Sequence, residues 1–213
     1  MSTCVYIDGF NTYGAIGDLR QNHLKWISYR RLSRMVDPGT TPQVIKLFSA
    51  IPQGNPDRQR RHDKFLEASR SEGVEVILGH FKKKTIQCKS GCPWSNREFV
   101  AWEEKETDVN LAIHLVRDVI VGCIERVVIF STDSDIAPAV EMAVTARPSL
   151  EVLAVNIGQR HPCWEVLGIG ERLGANVRKA SVSLAMLERC LLPQAIELAD
   201  GGTIVRPTQY DPP

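Results

Sequence analysis

Three aspartates follow the carboxyl ends of two short apolar runs: Asp8 after CVYI (4–7), and Asp133 and Asp135 after RVVIF (126–130) and a Ser-Thr pair. A fourth, Asp108, sits in EEKETDVNLAIHLV (103–116), a segment of helical length and spacing. Carboxylates that meet in one pocket cannot all stay ionised unaided, because two like charges about 4 Å apart repel by roughly 4 kcal/mol even at an effective dielectric of 20. Either their pKa values rise or a cation sits among them. Hard oxygen donors without a neighbouring histidine favour Mg²⁺ or Mn²⁺, which retain waters and hold phosphate oxygens. Asn11, just past Asp8, adds a neutral carbonyl or amide. Aspartates between a strand and a helix also cap helices, and TDSD before IAPAVEMAV suits that role without metal. Asp108 fits capping less well, because its spacing to Leu111, Ala112 and Leu115 turns it toward the inward side of its helix.

Such convergence needs a scaffold that brings strand ends together. Apolar runs of strand length recur at 4–7, 44–50, 74–79, 126–130 and 150–155, and segments of helical spacing lie between them. The alternation predicts an α/β protein with a mostly parallel sheet covered by helices on both faces. Helices are expected near 28–37, 56–72, 104–121, 136–146, 162–174 and 181–191. Val109, Ala112, Ile113, Val116 and Ile120 are the expected apolar stripe of the third. The carboxyl edge of a parallel sheet is where such folds bind ligands, and three of the acids fall there. From Pro193 onward, LPQAIELADGGTIVRPTQYDPP reads as a small hairpin or arm. The expected division is therefore a main domain over 1–192 and an arm over 193–213.

The 213 residues are 43% hydrophobic and 24% charged, the balance of a globular chain with one sizeable core. No apolar run is long enough for a membrane helix and no secretory pattern opens the chain, so a cytoplasmic location without membrane association is expected. The six cysteines are then thiols or ligands rather than disulfides. A formal net charge of +1 conceals an asymmetry. Residues 1–100 hold 16 Lys and Arg against 9 Asp and Glu, whereas 101–213 hold 10 against 16. A basic half suits phosphates and an acidic half a cation.

FKKKTIQCKSGCPWSNREFVAW (81–102) interleaves basic residues, among them Lys82, Lys83 and Lys84, with Trp94, Phe99 and Trp102. Aromatic platforms among cations suit single-stranded nucleic acid, and a solvated loop anchored by its aromatics is the plainer alternative. Cys88 and Cys92 bracket a short turn and resemble half a zinc site; His161 and Cys163 complete it only if the fold brings them close, so zinc ranks behind Mg²⁺ or Mn²⁺. Cys4, Cys123 and Cys190 read as small core residues.

VYIDGFNTY (5–13), EKETDVNLAIHL (104–115) and VVIFSTDSDIAPAVE (127–141), in this order and at these separations, resemble the NYN domain family, PIN-like metal-dependent ribonucleases. The resemblance spans most of residues 3–190, and LPQAIELADGGTIVRP is similar to the ending of many bacterial members. It implies a Rossmann-like sandwich, an acidic pocket holding a divalent metal, and cleavage of RNA phosphodiesters. The family's catalytic and metal positions carry onto Asp8, Asn11, Asp108, Asp133 and Asp135, with Asp8, Asp108 and Asp133 holding one ion and Asp135 completing the site or holding a second. Lys105 matches a basic position three before the helical aspartate, and Ser131 and Thr132 match small polar positions; Lys105 and Thr132 are expected to contact substrate. Two alternatives stand beside this reading: a non-catalytic RNA-binding regulator that kept the pocket, and a phosphatase-like phosphohydrolase suggested by the DSD triplet. The late position of that triplet, with Asp8 on the first strand instead, weighs against the phosphatase.

Overall fold

The structure, a computed structural model, describes residues 2–88, 98–122 and 124–213. Its centre is a six-stranded sheet built from β1 (Thr3–Asp8), β2 (Val44–Ser49), β3 (Glu75–Leu78), β6 (Arg126–Phe130), β7 (Glu151–Ile157) and β8 (Asn176–Val182). Between β3 and β6 the chain forms a separate antiparallel hairpin, β4 (His80–Gln87) with β5 (Glu98–Lys105). The sheet order is β3-β2-β1-β6-β7-β8, and every neighbouring pair is parallel. The chain winds outward from β1 to β3, then restarts at β6 beside β1 and winds the other way. The gap between the carboxyl ends of β1 and β6 is thus the topological switch point.

Side chains alternate across the central strands and feed two cores. Val5 and Ile7 of β1, with Val128 and Phe130 of β6, face a cluster that includes residues of α1 (Gly9–Asp18), α2 (Tyr29–Val36) and α3 (Pro56–Ser71). Cys4 and Tyr6, with Val127 and Ile129, face the cluster beneath α4 (Thr107–Ile120), α5 (Ala137–Ala146) and α6 (Trp164–Leu173). Strands buried on both faces must read as unbroken apolar runs, as these do. The short α7 (Leu184–Arg189) follows β8, and the tail forms the hairpin β9 (Ala195–Glu197) with β10 (Thr203–Val205). Ile204 and Tyr210 of the tail are buried in the first core.

Three local expectations are corrected. Residues 98–105 are a strand, so α4 starts at Thr107 rather than near 104. Residues 176–182 form the edge strand β8, which no expected strand covers, and the helix expected over 181–191 is the shorter Leu184–Arg189. In α4 the buried stripe is Leu111, Leu115 and Val119, while Val109, Ile113 and Ile120 are exposed. Both stripes satisfy helical spacing, and only the position of the sheet selects between them. The helix α1 was not anticipated, because Gly9, Gly14 and Gly17 depress its propensity. It forms because Asp8 caps it, accepting from the Asn11 amide, and because Ala15 and Ile16 are buried. Gly9 is required sterically: a Cβ there would stand 2.6 Å from the Phe48 carbonyl oxygen. Among the described residues, no helix is long and apolar enough to cross a membrane.

Candidate metal centre

Asp8 closes β1 at the switch point and is only 5% exposed. One carboxylate oxygen accepts from the Asn11 backbone N–H at 2.9 Å, and the other from the Ser131 hydroxyl at 2.9 Å. Ser131 in turn accepts from the Asp133 backbone N–H at 3.1 Å, so one hydroxyl links the ends of β1 and β6. The side-chain oxygen of Asn11 reinforces this link by accepting from both the amide and the hydroxyl of Thr132, each at 3.2 Å. Asn11 therefore spends its carbonyl on the loop that carries Asp133, and Thr132 spends its hydroxyl on Asn11.

Asp8, Asp108, Asp133 and Asp135 line one small pocket together with Leu111, Ser131 and Ile136. Burial raises the Asp8 pKa; its hydrogen bonds from Asn11 and Ser131 oppose the rise and the charge of Asp133 adds to it. Asp108 lies in the first turn of α4, where the residue is exposed rather than turned inward as its spacing predicts, because the buried face is set by Leu111 and Leu115; partial burial of its carboxyl group, then the charges of Asp8, Glu104, Asp133 and Asp135, push its pKa up to about 6. Asp133 caps the short 3-10 turn Ser134–Ile136 by accepting from the Asp135 amide at 3.0 Å, so the capping reading of this residue holds alongside its place in the pocket. Among the described residues, no three His, Cys, Asp or Glu side chains already close around a single point. The donor set nevertheless fits a hard divalent cation that keeps several waters: every donor is a carboxylate oxygen and the charges repel.

Glu104 is the acid that sequence reasoning missed. It lies four residues before Asp108 and accepts from the Thr107 amide at 3.0 Å and from the Thr107 hydroxyl, which caps α4 from outside. The residue at the cap position itself, Glu106, is held in the left-handed region at φ 77°. The strand pattern was the available signal. In β4 and β5, Phe81 pairs with Glu104 and Lys83 with Trp102 on one face, while Lys82 pairs with Glu103 and His80 with Lys105 on the other. Phe81 packs edge-on against Phe10, with ring centroids 5.9 Å apart, and the Trp102 ring lies against Gly54. The face holding Glu104, Lys83 and Trp102 thus turns toward the body. Lys105 is on the opposite face, bonded to Glu103 at 2.8 Å, with Lys84 3.6 Å from the same carboxylate.

Of the cysteine pair, Cys88 is described, whereas Cys92 lies outside the described residues together with Trp94 and Cys123. Cys163 is buried and its thiol donates to the Asp133 carbonyl at 3.3 Å. On the other side of the Asp8–Phe10 turn lies a second cavity, lined largely by aromatic and apolar side chains together with Lys25, Arg58 and His62.

A doubly covered parallel sheet with an acidic pocket at its switch point defines a Rossmann-like α/β domain. Residues 2–162 match the NYN domain, and the chain belongs to that family. A curated relative, 6-hydroxy-3-succinoylpyridine 3-monooxygenase HspA of Pseudomonas putida, is 27% identical over 174 residues, an alignment that covers 67% of this chain and 55% of that protein. The chain therefore spans about half the length of that relative. The crystal structure of a protein of unknown function, VPA0982 from Vibrio parahaemolyticus, shares the fold at 20% identity, with a TM-score of 0.53 over 90% of this chain and 96% of that one.

Proposed function

We propose that this protein is a metal-dependent ribonuclease that hydrolyses RNA phosphodiester bonds at the acidic pocket. The observation that supports this most is the pocket's electrostatics: four aspartates, one of them buried and one with its pKa lifted to about 6, line a space beside the switch point. Asp8, Asp108 and Asp133 would hold Mg²⁺ or Mn²⁺, with Asp135 completing the set. Such an ion would supply a bound water of lowered pKa and neutralise charge growing on the phosphate. The chain's own part is positional. Ser131 and the Asn11 amide fix both oxygens of Asp8, and the Asn11 side chain fixes the loop that carries Asp133. Lys83 shares the inward face of the hairpin with Trp102, an arrangement suited to a single strand of RNA.

Cleavage of RNA and DNA oligonucleotides in Mn²⁺, Mg²⁺ and EDTA tests the proposal. RNA should be cut only with the ion present, and Asp133→Asn should lower the rate about a hundredfold or more. Undiminished cleavage by Asp133→Asn would place the nucleolytic centre elsewhere. Salt-sensitive binding of RNA without any cleavage would instead favour a regulatory RNA-binding protein, and hydrolysis of a chromogenic phosphomonoester would favour a phosphatase.

A further inference from the structure

The basic excess of the first half of the sequence gathers where α3 begins. PDRQRRHDK (56–64) holds four cations, Arg58, Arg60, Arg61 and Lys64, against Asp57 and Asp63. An open groove runs between this stretch and the tail, with Asp57, Arg60, Arg61 and Lys64 on one wall and residues 205–209 on the other. Its volume of about 370 Å³ lies within the range of ligand-binding clefts.

The groove carries positive charge that the fold does not match. Arg60, Arg61 and Lys64 share one face of the helix, where like charges repel. Asp57 pairs with Arg60, and among the described residues neither Arg61 nor Lys64 has a carboxylate partner. On the opposite wall Arg206 is matched by Asp211 at 2.9 Å, so the surplus belongs to α3. Arg61 is half-buried and reaches the hydroxyl of the buried Tyr210, which fixes its guanidinium beside the groove. A planar cation held in place loses little freedom when it meets a phosphate.

The groove also joins the acidic pocket by a continuous line of residues. Arg58, one turn before Arg61, shares the small aromatic cavity with Gly9 and Phe10, which directly follow Asp8. Tyr210 closes that cavity and Gln209, its neighbour, lines the groove. The cavity itself measures about 30 Å³, the space of two or three waters, so a polymer passes over it rather than into it. The Trp102 ring lies against Gly54, two residues before α3, and this sets the inward face of the hairpin at the start of the same line.

We propose that the groove between α3 and the tail binds the sugar-phosphate backbone of single-stranded RNA, with Arg61 and Lys64 on phosphates several nucleotides from the one held at Asp8. The path from Asp8 outward rests on the ribonuclease reading; the binding of RNA by the groove does not. Contacts of this kind neutralise phosphate without reading bases, so they add affinity with length and are weakened by salt.

Fluorescence anisotropy of the full chain in EDTA, with labelled single-stranded RNA of about 4 and about 20 nucleotides, tests this. The longer RNA should bind more tightly. Lys64→Gln, at an exposed position that should not disturb folding, should weaken the longer RNA about threefold to tenfold and reduce the slope of log affinity against log salt by about 0.7. Arg61→Gln should do the same. Arg34→Gln combined with Arg117→Gln removes two exposed cations from helix ends at the opposite, amino edge of the sheet and should change neither quantity. The proposal is overturned if the two RNA lengths bind equally, if Lys64→Gln binds as wild type does, or if the amino-edge variant weakens binding as much as Lys64→Gln. RNA cleavage in Mn²⁺ scores the ribonuclease reading separately: groove-dependent binding without cleavage sinks that reading alone, and cleavage with groove-independent binding sinks the groove alone.

Discussion

The two ends of α4 carry aspartates that live under opposite conditions. Asp118, in the last turn, accepts from the buried Lys46 ammonium at 2.5 Å and from the Tyr6 hydroxyl at 2.8 Å. Lys46 itself is 6% exposed, and the His114 ring stands 3.3 Å from its nitrogen. Asp108, in the first turn, has four other carboxylates acting on it. One end therefore holds a charge that the fold has matched, and the other holds charge that the fold leaves unmatched. A matched buried pair is a structural element whose loss is felt as instability. An unmatched cluster lowers stability in the protein alone, and it persists where a ligand of opposite charge uses it.

Breaking each end should therefore give opposite signatures. The largest effect is expected on activity: Asp133→Asn should lower RNA cleavage about a hundredfold or more while leaving the thermal midpoint unchanged or slightly higher. Cleavage at the wild-type rate would dissolve the comparison. Next, Lys46→Met leaves the half-buried Asp118 without its cation and should cost about 2–3 kcal/mol in chemical denaturation. A loss below 1 kcal/mol would show that the α4 C-terminal network is not a structural element.

The pH dependence sharpens the unmatched end. Asp108 has its pKa raised from 3.8 to about 6 in the folded protein, so the folded state holds the proton more tightly than the unfolded chain does. Its contribution to stability is fully favourable below 3.8, declines as pH rises toward 6, and stays flat above. The decline should be about 1 kcal/mol once solvent screening of this part-exposed group is counted. Denaturation in EDTA from pH 4 to 8 should show it, Mn²⁺ at pH 7.5 should restore it, and Asp108→Asn should abolish both effects. The smallest effect belongs to the junction between hairpin and helix. Glu106→Gly relieves a left-handed residue that carries a Cβ and should stabilise the protein by about 0.5–1 kcal/mol. A destabilised variant would mean that the Glu106 contact with His80, at 3.2 Å, outweighs the backbone strain.

The parts of the fold that were legible in the sequence are the ones whose local pattern admits one solution. The strands β1, β6 and β7 carry continuous apolar runs, and β2 carries one interrupted only by Lys46, a pattern that a doubly covered sheet accommodates. Asp8 and Asp133 follow two of those runs, and their place at the carboxyl edge follows from strand direction alone. The β4–β5 hairpin and the edge strand β8 carry charged side chains in adjacent runs, Lys82 to Lys84, Glu103 to Lys105 and Arg178 with Lys179, which break the strand period of two and match a solvated loop or a helix equally well. The same ambiguity hid Glu104, because its importance depends on which face of β5 turns inward.

What the amino-acid order determined by itself was the class of fold, the two strand tips that carry carboxylates, and membership in the NYN domain family. Periodicity and residue type act over a few residues, and those features are local. Only the tertiary structure decided that Leu111 rather than Ile113 lies inward, that Asn11 and Ser131 stitch two strand ends together, and that five rings from four separate segments enclose a cavity beside Asp8. Each depends on how distant segments pack against one sheet, and packing is a property of the assembled chain.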